Sequence, residues 1–128
     1  MSKQTFFSSL EHPSPTNLEA YVVDANTLSV TWDLPGNLLD IDKIYITVTE
    51  LGETNRTIQT QSFDKTIKKF DIQINDKDPN SIHTNTTVEF AARYCDHSGQ
   101  NSSTIDYQLY INTLSKFSFS FFYATNCV

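Results

Sequence analysis

The chain has 128 residues, enough for one domain with a substantial core and too few for two. Nine Lys and Arg against 15 Asp and Glu give a formal charge of −6, so the chain lacks the basic face that a nucleic-acid binder needs. Only 19% of residues are charged, too few for charge-driven disorder or a coiled coil.

Met1 to Leu10 offers one short apolar pair, Phe6-Phe7, so no signal peptide is visible in this chain. Nor does any segment reach the ~20 apolar residues of a membrane-spanning helix, and no transmembrane segment is expected. From Leu18 onward apolar and polar residues alternate with the period of a β-strand. The first run places Leu18, Ala20 and Val22 on one face, and the second places Leu28, Val30 and Trp32 there. The third carries Ile44, Ile46 and Val48 inward and Tyr45 and Thr47 outward. A weaker fourth run, Arg56 to Phe63, is mostly Thr and Gln around Ile58, as suits an edge strand. The fifth carries Phe70, Ile72 and Ile74, and the sixth Val88, Phe90, Ala92 and Tyr94, with Arg93 outward. The seventh carries Ile105, Tyr107, Leu109 and Ile111 inward and Tyr110 outward.

Turn chemistry separates the runs. Asp24-Ala25-Asn26, Pro35-Gly36-Asn37, Leu51-Gly52-Glu53, Asp76 to Asn80 and Asp96-His97-Ser98-Gly99 each hold residues that cap or bend the backbone. Seven short alternating strands with regular turns predict an all-β sandwich of two antiparallel sheets. The predicted core includes Trp32, Ile44, Ile46, Phe70, Ile72, Phe90 and Tyr94, with the large rings dominating it.

In combination these residues resemble a fibronectin type III domain. The stretch Leu28-Ser29-Val30-Thr31-Trp32-Asp33-Leu34-Pro35 is similar to that family's second strand, including a buried Trp and a closing Pro. Ile41 to Ile46 resembles the third strand, and Val88 to Tyr94 followed by Ser98-Gly99-Gln100 resembles the sixth and its turn. The resemblance implies a seven-stranded immunoglobulin-like sandwich over 15–114, with the first, second and fifth strands in one sheet and the others in the second, between a flexible segment 1–14 and an aromatic tail 115–128. Val88 falls where the family places the Tyr of its corner, so that corner must be held in another way. A narrower likeness joins Trp32 to Asn37 and Asp40 to Ile46 to the terminal fibronectin-like domain of calcium-activated chloride channel regulators, which are extracellular. That likeness implies a distal, non-catalytic module of a membrane-associated parent.

The chemistry-bearing residues give no enzyme. Asp76, Asp78 and Asn80 have the opening spacing of a calcium loop, but Ser81 replaces its Gly and Thr87 its closing Glu. His12, His83 and His97 show no zinc spacing, and no GxSxG or phosphate-binding Gly-rich loop occurs. Cys95 and His97 lie two apart and could touch, yet no third group completes a site. Cys95 and Cys127 could form one disulfide or stay as separate thiols. No cofactor or metal is expected.

Binding is the remaining class. Leu39-Asp40-Ile41 resembles a short acidic integrin-binding motif, although Ile41 is equally needed for packing. Tyr45, Thr47, Arg93 and Tyr110 are the candidate sheet face for a protein partner, and Asp40, Asp42 and His97 the candidate loops. Asn55, Asn85 and Asn101 each head a glycosylation sequon, meaningful only in the secretory pathway. Together these predict an extracellular or cell-surface protein-interaction or spacer module, part of a larger protein.

Overall fold

A computed structural model describes residues 13–35 and 40–112. The expected segment 1–14 falls almost wholly outside that span, as do Leu39, Cys127 and the aromatic tail. Seven strands follow in order: β1 (Thr16–Asp24), β2 (Thr27–Asp33), β3 (Ile41–Leu51), β4 (Arg56–Asp64), β5 (Lys69–Gln73), β6 (Thr86–Asp96) and β7 (Ile105–Ile111). They form two antiparallel sheets, β1-β2-β5 and β4-β3-β6-β7. This is the partition that the resemblance to fibronectin type III implies.

The alternating apolar residues meet between the sheets. Leu28, Val30, Ile44, Ile46, Val48, Val88, Phe90 and Ala92 are fully enclosed, as the inner residues of two packed sheets must be. Trp32 is 2% exposed and lies 5.6 Å from Phe63 and 6.0 Å from Phe70, centroid to centroid. The two Phe rings lie 4.9 Å apart, so β2, β4 and β5 are joined by one tilted aromatic trio. Phe70 and Ile72 pack against the core while remaining half-buried, because β5 is an edge.

Local chemistry sets the ends of the strands. Asp24 Oδ1 accepts the Asn26 N–H at 2.8 Å in the two-residue turn from β1 to β2. Asp96 Oδ1 accepts from the N–H groups of Ser98 and Gln100 at 3.0 and 2.8 Å. Gly99 follows at φ 87°, a left-handed conformation that a Cβ would strain. Asn85 enters β6 at φ 63°, which Asn tolerates better than most residues.

Candidate functional site

Strict alternation along β3 and β6 sends Tyr45, Thr47 and Arg93 to the outer face of the four-stranded sheet. Tyr45 is directly opposite Arg93 in the register, and the guanidinium carbon stands 4.6 Å from the Tyr45 ring centroid. This is a cation–π contact between side chains on adjacent strands. Thr47 lies one pair along, beside Ala91, and its hydroxyl is 3.3 Å from that of Thr60 on β4. Thr49, Thr57 and Thr87 continue the same face. Arg93 Nη1 is enclosed and has no hydrogen-bond partner among the described residues. It is a desolvated donor on a face that also carries the carboxylates of Glu89, opposite Thr49, and Asp106, opposite Ala91.

Tyr110 is not brought to that pair. It is 54% exposed and opposite Thr87, six residues along β6 from Arg93, roughly 20 Å away at the rise of a strand.

The loop candidates gather at the other margin. Asp42 Oδ1 and His97 Nδ1 are 3.7 Å apart and both are well exposed, so the pair is weak. Asp42 belongs to β3 rather than to a loop: strand pairing begins at Ile41, against Asp96. Ile41 is 2% exposed, so the third residue of the acidic motif is committed to packing. Cys95 is buried while His97 turns outward toward Asp42.

One cluster escapes the sequence reading. Glu50 and Arg56 face each other across the turn from β3 to β4. Glu50 Oε1 accepts from Arg56 Nε at 3.2 Å and Nη2 at 2.9 Å. The same guanidinium donates to the carbonyls of Pro79 at 2.9 Å and Ser81 at 3.2 Å, holding the segment between β5 and β6. His83 Nε2 donates to the Asp78 carbonyl at 2.7 Å, since a carbonyl can only accept. Its Nδ1 lies 3.4 Å from Glu50 Oε2, an ion pair in the protonated form. Arg56 thus ties down the corner where Val88 replaces the resembled family's Tyr. The signal was available: opposite charges flank the hairpin turn symmetrically, at 50 and 56.

The calcium-like turn that the sequence offers is closed by its own backbone. Asp76 accepts from the Thr84 N–H and hydroxyl at 2.7 and 2.8 Å, and Asp78 accepts from the Asn80 N–H at 2.9 Å. These carboxylates cap the chain itself. Among the described residues no three His, Cys, Asp or Glu side chains form a metal-binding group. Among the described residues, the Asp64 carboxyl and the Tyr94 hydroxyl are shifted. The Thr66 N–H and then its hydroxyl hold the Asp64 carboxyl below its usual range, and burial with the nearby Asp96 charge raises the Tyr94 hydroxyl.

The three sequon asparagines are exposed. Asn55 lies in the turn between β3 and β4, where its Oδ1 accepts the Gly52 N–H at 3.3 Å. Asn85 precedes β6 at the same end of the sandwich, and Asn101 bridges Cys95 at the opposite end.

No protein family and no curated protein matches the chain. Solved structures do. A redesigned β-sandwich protein superposes with a TM-score of 0.63 at 20% identity, over 79% of this chain and 91% of its own. The third fibronectin III domain of the human KIAA0343 protein gives 0.58 at 12% identity, over 80% of this chain and 86% of its own. The fn3 domain of the human collagen alpha-1(XX) chain gives 0.58 at 14% identity, over 79% and 86%. With its strand order, its two sheets and its buried Trp32, this chain has the fibronectin type III fold.

Proposed function

We propose that this domain is a non-catalytic protein-interaction or spacer module, working outside the cell within a larger secreted or cell-surface protein. The observation that carries the reading is the Tyr45–Arg93 pair, with its enclosed, unpartnered Nη1 on a flat threonine-lined face. Such a face suits a protein partner: it offers an aromatic ring, a planar cation and hydroxyls at little entropic cost. The fold is typically non-catalytic and its relatives in structure include modules of longer chains, such as the fn3 domain of the collagen chain. Three exposed sequon asparagines support passage through the secretory pathway.

The test of location is an immunoblot of the native protein from its source, with and without enzymatic removal of N-glycans. A band far above 14.6 kDa that shifts down on treatment, yet stays above that mass, is expected. A band at the chain mass with no glycan shift contradicts the reading. The test of the face is recovery of binding proteins by the wild-type chain and by Arg93→Ala and Tyr45→Ala. Species captured by the wild type should be lost from both variants while the far-UV spectrum and melting midpoint persist; equal capture removes this face from the account.

A further inference from the structure

Among the described residues the sandwich has four sheet edges, and three of them are blunted. Along β1 the register is broken between Thr16 and Glu19 and again between Val22 and Asp24, Asn17 stands at φ 54°, and β1 packs against β7. β5 is five residues long and carries Lys69 and Asp71. β7 bears Asp106 near its start and lies under β1. Bulges, short length and charge are the usual protections of an edge. β4 differs. It has nine residues, with charge only at its ends, Arg56 and Asp64. One bulge, between Val48 and Thr49 of its partner, leaves Ile58 as the extra residue and confines the regular edge to Gln59–Asp64. Within that run Thr60, Gln61 and Ser62 are exposed. The strand therefore presents a row of backbone N–H and C=O groups with no charged side chain guarding its middle.

We infer that β4 is a self-association edge, on which β4 of a second copy of this chain pairs antiparallel to extend the four-stranded sheet to eight. The occupant follows from the residues. About a two-fold axis at Gln61, amide meets amide at Gln61 itself, and Thr60 of each copy meets Ser62 of the other. Those two hydroxyl pairs share the outer face, as cross-strand Thr and Ser pairs favour. The strand ends are of opposite sign, so an antiparallel alignment sets the Arg56 end of one copy near the Asp64 end of the other. A parallel alignment would set like beside like. Arg56 is already held by Glu50, so the ends guide orientation and the backbone ladder supplies the contact. An edge contact alone is smaller than the roughly 1,000 Å² of a stable interface, which makes this a weak, concentration-dependent dimer.

The test is sedimentation equilibrium of the full chain between roughly 10 µM and 1 mM, the range of a weak contact. The wild type should pass from monomer toward twice 14.6 kDa across that range. Gln61→Lys and Gln61→Glu each bring like charges together across the axis, so each alone should stay monomeric. An equimolar mixture of the two should associate at least as well as the wild type, because Lys then meets Glu. A wild type that is monomeric throughout overturns the proposal. So does association that survives Gln61→Lys, or a mixture no more associated than its components. None of these outcomes depends on Arg93 or on any other partner, so this edge and the Tyr45–Arg93 face stand or fall separately.

Discussion

Replacing Trp32 with Ala removes the ring that Phe63 and Phe70 share, inside a close-packed core that can collapse only partly into the space. The expected loss is about 3–5 kcal/mol, comparable with the whole stability of a small domain. Urea unfolding of Trp32→Ala should show a much lower midpoint or no cooperative transition; an unchanged midpoint contradicts the packing. Ile82→Ala should cost about 2–5 kcal/mol by the same measurement, since Ile82 is fully enclosed although it lies in the segment between β5 and β6. The two shifted groups act in opposite pH ranges. Tyr94 is raised above 10.0, so the folded state keeps its proton after the unfolded chain has lost it. Stability is therefore intact below pH 10.0 and falls as pH rises from there through the folded value. Tyr94→Phe should flatten that alkaline limb in a series of melting curves. Asp64 is held below 3.8, so its contribution is present above that pH and is lost as pH falls through the folded value.

Among the elements, the strands were legible because alternation is a property of every residue in a run. Leu28, Val30 and Trp32 all face the core, and a one-residue slip would expose all three. The pairing of sheets was legible too, through the resemblance of the second strand and its Trp to a known sandwich. What escaped were isolated residues. Ile82 sits alone between Ser81 and His83, and Phe63 ends a strand of Thr, Gln and Ser, so neither makes a period to read. The Glu50–Arg56–His83 cluster draws on β3, β4 and the segment before β6, and only the folded register places them together. Asp42 was assigned to a loop because acidic residues cluster there, yet pairing of Ile41 with Asp96 carries the strand past it. The outer-face placement of Tyr45, Thr47 and Arg93 needed only parity along two strands. The distance of Tyr110 from them needed the register of β7. Arg56 also yields a test at this scale. Arg56→Met keeps the aliphatic stem but strands the Pro79 and Ser81 carbonyls and the Glu50 charge, a cost of about 1–3 kcal/mol. Amide exchange should then quicken in residues 75–85 more than in β2 or β3. Uniform acceleration across the domain would mean that Arg56 does not serve that segment in particular.

On the scale of the whole molecule, charge and exposure divide the surface into distinct territories. The chain carries −6 overall; the outer face around Thr47 holds Arg93 together with Glu89 and Asp106, and β4 is uncharged between its ends. The sequon asparagines stand at the two ends of the sandwich, away from the middle of that face. A domain arranged in this way suits lateral contact along its sheet, with its ends free for neighbouring segments of a longer chain. The measurement that tests this most directly is site-specific photocrosslinking on the intact source cells. A photoreactive residue replaces Thr47, beside the Tyr45–Arg93 pair, and a control replaces Gln73 on the outer side of the other sheet. The account predicts a discrete adduct of higher mass from position 47 that Arg93→Ala abolishes, and none from position 73. Equal adducts from both positions, or none from position 47, would contradict it.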